Sequence, residues 1–93
     1  MSVEVLVPGA LANLVDGARH VDVDVAEGTV GDVLDRLAEG HPLLARRLRD
    51  ETGAIRRFVN VYVDGDDVRF GQGVETPVKD GAVVQVLPSV AGG

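Results

Sequence analysis

The stretch that decides the fold is Val21–Gly40, VDVDVAEGTVGDVLDRLAEG, in which a strand-like pattern gives way to a helical one. Residues 21–25 alternate valine with aspartate, which predicts a strand with one apolar face and one acidic, solvated face. Thr29 is a good helix N-cap, and Asp32 stands three residues later, in the arrangement of a capping box. The sequence therefore predicts a half-exposed strand followed by an amphipathic helix.

The predicted helix carries one apolar stripe. Its apolar side chains recur at the spacing of a single helical face, at Val30, Val33, Leu34, Leu37 and Ala38. Gly40 is placed to end the helix, and His41-Pro42 confirms the break. Residues 43–49 combine leucines with arginines and predict a second, shorter helix.

Further strands are predicted on both sides of this unit. Residues 3–7 alternate and would form an antiparallel hairpin with residues 21–25. Residues 58–63 are aromatic and β-branched, and the turn Asp64-Gly65 would lead into a partner strand at 67–70. Residues 82–87 are almost all apolar, which predicts a central strand covered on both faces. Residues 10–18 leave open a short helix or an irregular loop.

The element order is thus two strands, a main helix with a short second one, and three strands. One amphipathic helix needs a sheet to cover, which predicts an α+β domain. A mixed sheet of four to five strands under one helix matches the ubiquitin-like β-grasp fold, in which the first and last strands lie side by side at the centre. We expect this domain to span residues 1–88, with residues 89–93 as a flexible tail.

The amino-acid composition argues against several classes of function. The chain has 93 residues, no cysteine and a net charge of −6, which argues against a disulfide framework, a thiolate metal site and binding to a nucleic-acid backbone. No apolar run approaches the roughly 20 residues that span a bilayer, and the N-terminus has no signal-peptide pattern. We expect a cytoplasmic protein, monomeric when free, with no nucleic-acid or membrane partner.

Signals of catalysis or metal binding are weak. His20 and His41 have no ligand spacing, and two surface histidines are the favoured interpretation over a metal pair. Gly71-Gln72-Gly73 lacks the rest of a phosphate-loop fingerprint. Asp64–Asp67 resembles part of a calcium loop without its second half, so a hairpin turn is favoured. We therefore assign no catalytic residue and no metal site.

The end of the sequence carries the clearest chemical signal, because Gly92-Gly93 follow a short segment after Pro88. Two glycines have no side chains and wide backbone freedom, so such a tail can enter a narrow catalytic channel. An ATP-dependent partner could adenylate the terminal carboxylate, and sulfide or a thiol could then attack it. The product would be a thiocarboxylate. A frayed terminus with incidental glycines is the alternative.

The predicted β-grasp order with this ending resembles the bacterial sulfur-carrier family that includes ThiS, MoaD and CysO. Residues 57–63 (RFVNVYV) with 67–70 (DVRF) are similar to the central hairpin of the CysO-type carriers, and residues 87–93 (LPSVAGG) are similar to their tail. MoaD proteins share the spacing from proline to diglycine, so the tail alone does not separate these branches.

The resemblance implies a carrier that is not itself an enzyme. Gly93 would be the modified residue, and Val90, Ala91 and Gly92 would thread into partner active sites. The partners would be an activating enzyme that uses ATP and magnesium, an O-phosphoserine sulfhydrylase-like or other sulfur acceptor, and a zinc peptidase. No cofactor would be bound by the chain itself. The small subunit of molybdopterin synthase, a ubiquitin-like modifier and an ordinary interaction module remain open.

Two residue groups could dock such partners. Phe58 and Phe70 are apolar residues of the predicted hairpin, for which core packing is the favoured interpretation and docking the alternative. Arg57 and Arg69 flank them. Arg57 also belongs to a basic cluster that is either a solvated face or a patch for an acidic partner; its other members are Arg46, Arg47, Arg49 and Arg56.

Overall fold

A computed structural model describes residues 2–12, 17, 19–25, 28–57 and 59–88. The predicted tail residues Val90, Ala91, Gly92 and Gly93, together with Phe58, lie outside the described residues. The strands are β1 (Ser2–Leu6), β2 (His20–Asp24), β3 (Gly28–Thr29), β4 (Val59–Val63), β5 (Asp66–Asp67), β6 (Pro77–Val78) and β7 (Val83–Pro88). The α-helices are α1 (Gly9–Ala12), α2 (Val30–Gly40) and α3 (Pro42–Leu48), and Val68–Phe70 and Gly73–Glu75 form 3-10 turns.

The main sheet has five strands in the order β2-β1-β7-β4-β5. The central pair, β1 and β7, is parallel, whereas β2, β4 and β5 join their neighbours antiparallel. This arrangement is the ubiquitin-like β-grasp fold, and it confirms the mixed sheet with the first and last strands at its centre. The hairpin of β1 with β2 and the hairpin turn at Asp64-Gly65 are also confirmed; both turn residues have positive φ.

Helix α2 packs on one face of this sheet and closes the core. The alternation within the strands sends every second side chain toward it, as in Val3 and Val5 of β1 and Val84 and Val86 of β7. The prediction that β7 is covered on both faces was wrong. Val83, Gln85 and Leu87 point to the opposite face and are only half-buried, because no described element covers that side.

The predicted capping box begins α2 as expected. The Thr29 hydroxyl accepts a hydrogen bond from the Asp32 backbone N–H, and the Asp32 carboxylate accepts one from the Thr29 N–H at 2.9 Å. Together they satisfy backbone donors that a helix start leaves without intrahelical partners. The predicted apolar stripe is buried at Val30, Val33, Leu34 and Leu37.

Removing this cap should destabilise the domain measurably. We expect Thr29→Ala to lower the free energy of unfolding by about 1 kcal/mol, because one N–H of the first turn loses its acceptor. Urea denaturation followed by circular dichroism measures the loss. Thr29→Ser keeps the hydroxyl and serves as the control; an equal loss in both variants would mean that the methyl group, and not the cap, is responsible.

The predicted strand 67–70 was wrong beyond its first residue. The Asp67 carboxylate accepts a hydrogen bond from the Arg69 N–H at 2.8 Å, which turns the chain into a 3-10 turn. The Arg69 side chain then donates to the carbonyls of Arg57 and Val59 at the edge of β4. A side chain therefore supplies the hydrogen bonds that a longer β5 would have supplied.

A second, two-stranded sheet was not predicted. β3 pairs antiparallel with β6, through Gly28 with Val78 and Thr29 with Pro77. The pairing anchors the start of α2 to the segment after the 3-10 turns, and the Val30 N–H donates to the Thr76 carbonyl at 2.9 Å. Each strand has two residues, too few for an alternation to be recognisable in sequence.

Candidate functional site: the base of the C-terminal segment

The last described residue of the chain lies at the end of a central strand of the sheet. β7 ends at Pro88, the last described residue, which pairs with Val59 at the start of β4. On the other side β7 runs parallel to β1, with Gln85 opposite Leu6. We call the surroundings of Pro88 the tail base. Because β7 is held by both neighbours, the tail base is fixed on the rigid part of the domain.

A groove of about 210 Å³ flanks the tail base on the β1 side. Its lining includes Leu6, Pro8 and Leu87, with Arg19 at its rim. The Arg19 Nε donates to the Val7 carbonyl at 2.9 Å, which holds that guanidinium beside the end of β1. The groove is thus apolar within and cationic at one side.

Two arginines with different roles flank the tail base on the β4 side. The Arg69 Nη2 donates to the carbonyls of Arg57 and Val59, at 2.5 and 2.7 Å, and so fixes the segment that enters β4. Arg57 is exposed, and no described residue accepts a hydrogen bond from its side chain. The ion pairs found between described residues involve neither arginine. Arg57 is available to a partner, whereas Arg69 already has a structural role.

This difference is testable. We expect Arg69→Ala to lower the free energy of unfolding by about 1 kcal/mol, because carbonyls at the start of β4 lose their donor. Arg57→Ala removes the same charge at a neighbouring position and should change stability by less than about 0.5 kcal/mol. Chemical denaturation of the two variants side by side measures both. Equal effects would contradict the assignment of Arg69 as the structural one.

The predicted basic cluster is divided by the fold. Arg49 pairs with Asp35 at 2.5 Å, and the Arg56 Nε donates to the Arg46 carbonyl at 2.9 Å. Arg46 and Arg47 are exposed on α3. The cluster therefore joins α3 to the segment before β4, and part of its charge is neutralised within the domain.

The loop between α3 and β4 is ordered by Asp50. Its carboxylate accepts hydrogen bonds from the Thr52 hydroxyl and N–H and from the Ala54 N–H. The pKa of Asp50 is lowered, and the hydrogen bond from the Thr52 hydroxyl is the largest cause. The backbone donors and the positive charge of Arg56 lower it further. Because the pKa is lowered on folding, the stabilisation is present at neutral pH and is lost as the pH falls through the folded value.

Phe70 does not pack in the core, so the favoured prediction for this residue was wrong. Its side chain is 91% exposed. It borders an open groove of about 680 Å³ whose other walls include Tyr62, Val68 and Pro77. An exposed aromatic side chain beside a groove can act as an anchor for a partner protein.

The face of the sheet opposite α2 was missed as a site element. Its central side chains are half-buried: Leu6, Asn60, Tyr62, Gln85 and Leu87. We call this set the open face. Gln85 within the apolar run 82–87 was the available signal, because one polar residue at the centre of a strand indicates a solvated side.

The two histidines have separate environments. The His20 Nδ1 lies 3.2 Å from the Glu4 Oε1 on the surface of the sheet, whereas His41 caps the end of α2. In the part of the chain that the structure describes, no three histidine, aspartate or glutamate side chains form a group that could hold a metal ion. Among the same residues, no helix has the length and apolarity to cross a membrane.

Comparison with known proteins extends these observations. The ThiS family pattern matches residues 5–93. The sulfur carrier protein CysO of Mycobacterium tuberculosis is 38% identical, over 100% of both chains. A chain in the crystal structure of the Amycolatopsis orientalis BexX/CysO complex is 38% identical with a TM-score of 0.83, covering 98% of this chain and 99% of that one. Small archaeal modifier protein 1 of Haloferax volcanii is 35% identical, over 85% of this chain and 87% of its own length.

These relatives are named as sulfur carriers and a modifier, and the similarity to CysO of Mycobacterium tuberculosis covers the whole chain, the predicted tail included. The family match runs through Gly92 and Gly93 to the last residue of the sequence. On this evidence the chain belongs to the ThiS family of ubiquitin-like sulfur carriers.

Proposed function

We propose that this protein carries sulfur as a thiocarboxylate on Gly93. The observation that carries the proposal is the full-length similarity to a sulfur carrier, within a family match that extends to residue 93. The fold supports it, because β7 delivers the C-terminal segment from a rigid sheet, as a carrier that presents its end to other enzymes requires.

The chemistry proceeds in two steps on a partner enzyme. The Gly93 carboxylate attacks the α-phosphorus of ATP, and pyrophosphate leaves with magnesium. A sulfide or persulfide sulfur then attacks the acyl carbon of the adenylate, AMP leaves, and a thiocarboxylate remains once any sulfur–sulfur bond has been reduced by a thiol. Val90, Ala91 and Gly92 occupy the partner's channel. The chain binds neither ATP nor metal itself and supplies no catalytic residue.

The open face, Phe70 and Arg57 form the docking surface in this proposal, together with Phe58. The open face combines the apolar side chains of Leu6 and Leu87 with the polar side chain of Gln85, and Leu87 directly precedes the tail base. Phe70 offers a large apolar side chain to a partner pocket, and Arg57 offers a charge with no described partner. Arg69 contributes by holding Arg57 and Val59 in place.

Truncating the exposed aromatic should weaken docking without unfolding the domain. We expect Phe70→Ala to raise the KM of the activating enzyme for the carrier about tenfold, because exposed aromatic anchors often dominate interface energies. Leu43→Ala is the control, since Leu43 is 58% exposed on α3. Steady-state adenylation assays measure both. An unchanged KM for Phe70→Ala would remove Phe70 from the docking surface.

For the acceptor, we propose cysteine biosynthesis or another sulfur-incorporating pathway such as thiosugar formation. The CysO relatives favour this choice, and one of them is in a complex with BexX. Besides a ubiquitin-activating-enzyme-like adenylyltransferase and sulfurtransferase, the partners would be an O-phosphoserine sulfhydrylase-like enzyme or another synthase and, for a cysteine adduct, a zinc peptidase. We place the carrier in the cytoplasm.

A modifier role is the second candidate, favoured by the similarity to small archaeal modifier protein 1. It would leave Gly-Gly remnants of this chain on lysines of other proteins. A role as the small subunit of molybdopterin synthase would instead be recognised by stable association with a large catalytic subunit. Proteomics of remnant peptides and affinity purification separate these outcomes.

Intact-mass spectrometry tests the main proposal. The protein is incubated with a cognate activating enzyme, ATP, magnesium and a sulfide source. We expect a mass gain equal to the difference between sulfur and oxygen, located in the C-terminal peptide. No gain with any of several activating enzymes of the ubiquitin-activating type would count against the proposal, and omission of ATP provides the negative control.

A further inference from the structure

The outer edge of β2 has backbone groups available for pairing. β2 is the first strand of the sheet order, and among the described residues only β1 pairs with it. The Glu4 N–H donates to the Ala82 carbonyl, just before β7, whereas the Val7 N–H donates to the Arg19 carbonyl, just before β2. Successive residues of a strand point their backbone groups to opposite sides. With the observed register, the N–H and C=O groups of His20 and Asp22 therefore point outward from the sheet.

The position of Arg36 confirms this direction. Its Nε donates to the Asp24 carbonyl at 2.9 Å, and it reaches that carbonyl from α2, on the outer side of β2. One outward group of the strand is thus already bound by a side chain. The corresponding groups of Asp22 and His20 extend the same row.

A groove lies directly along this edge. It has a volume of about 390 Å³ and runs between β2 and the C-terminal half of α2. Val21 and Leu37 contribute apolar lining, and Glu39 and His41 stand at its α2 side. A strand paired with β2 would direct alternate side chains into this groove and the others to the opposite face.

The negative charge on the face of β2 away from this groove indicates which kind of partner would bind. Asp22 lies directly across from Glu4, and two like charges in such a pair repel each other. His20 contacts Glu4 but not Asp22. A lysine or arginine placed beside Asp22 would relieve the repulsion. A second copy of this chain would instead place aspartate against aspartate if it paired antiparallel about Asp22.

We propose that the β2 edge binds an extended segment of a partner protein in which aliphatic and basic residues alternate. The segment adds a strand to the sheet through Asp22 and His20, its aliphatic side chains enter the groove, and its cations face Asp22. This surface lies at the opposite side of β1 from β7. It is independent of the thiocarboxylate chemistry and of the docking surface around Phe70.

Synthetic peptides test the proposal on the full-length protein. The probe Ac-Lys-Val-Lys-Val-Lys-amide should shift the amide NMR signals of His20 and Asp22 and slow their hydrogen exchange. A version N-methylated on every backbone nitrogen keeps the charges but has no backbone N–H to donate to the strand, and we expect it not to protect those amides. Equal effects from both peptides, or shifts located elsewhere, would overturn the proposal.

Charge reversal supplies the matched variant. Asp22→Lys should lower the affinity for the basic peptide about tenfold, because an attractive cross-strand pair becomes a repulsive one. It also removes the repulsion with Glu4, so the variant should fold at least as stably as the parent. Glu51→Lys makes the same change in net charge on an exposed loop and should leave the affinity unchanged. Equal weakening by both variants, or a dimer through β2 in sedimentation, would contradict the proposed partner.

Discussion

Replacing Gly92 by valine should reduce thiocarboxylate formation by on the order of 100-fold, the scale of loss expected when a reacting group is displaced in an active site. A β-branched side chain restricts the backbone and adds width one residue before the reacting carboxylate. In the proposed chemistry that carboxylate must reach the α-phosphate of ATP inside another protein. The initial rate of thiocarboxylate formation, measured by intact mass, tests this expectation.

A glycine-to-valine substitution far from the tail should have almost no effect on the rate of thiocarboxylate formation. Gly40 ends α2, and a Cβ there would meet no neighbouring atom within 4 Å. Gly40→Val is therefore the matched control, and we expect its rate to stay within about twofold of the parent, as for surface substitutions of small energetic effect. Circular dichroism should show both variants folded. Normal turnover of Gly92→Val would mean that the tail is not the group that enters the partner.

The largest effect on stability is expected at the centre of the helix–sheet interface. Leu34 is 1% exposed on the face of α2 that covers the sheet. We expect Leu34→Ala to lower the free energy of unfolding by about 3 kcal/mol, because the substitution removes buried surface and leaves a cavity. For a domain of this size that should lower Tm by more than about 10 °C.

Leu43 provides the matched control, because the same substitution there affects a side chain that is 58% exposed. We expect Leu43→Ala to cost less than about 1 kcal/mol. Differential scanning calorimetry compares the two. Below its own melting transition, Leu34→Ala should still be thiocarboxylated, since the domain acts as a support for the tail. A similar cost at both positions would contradict the observed packing of α2.

The elements that are independent of long-range contacts were predictable from sequence. The alternation of Val21, Asp22, Val23 and Asp24 gave the acidic face of β2, and Thr29 with Asp32 gave the start of α2. In both cases the signal lies within one element, in its periodicity or its cap. The parallel pairing of β1 with β7 came instead from analogy with the β-grasp fold.

The elements that depend on distant partners were not predictable. β3 and β6 exist because Gly28 and Val78 meet across the start of α2. The end of β5 depends on the Arg69 side chain, which reaches carbonyls about ten residues earlier in the chain. The exposure of Phe70 follows from that turn. The hairpin turn at Asp64-Gly65 indicated a partner strand there, but tertiary hydrogen bonds decided the outcome.

The candidate site, too, could be predicted from sequence only in part. Gly92 and Gly93 could be singled out from sequence because their chemistry needs no partner within the chain. The surfaces that guide the tail could not, because the open face combines side chains of β1, β4 and β7, which only the sheet order brings together. Gln85 was the one residue whose position in the sequence indicated the open face.

One measurement tests the central claim that the α-carboxyl of Gly93 is the reactive group. A variant extended beyond Gly93 by a few residues that no protease in the assay removes is incubated with the activating enzyme, ATP and a sulfide source. Its folded domain is unchanged, but its terminal carboxylate lies beyond the catalytic position. We expect no thiocarboxylate and no sulfur delivery from it, while the parent protein reacts. Sulfur delivery by the extended variant at the parental rate would contradict the account.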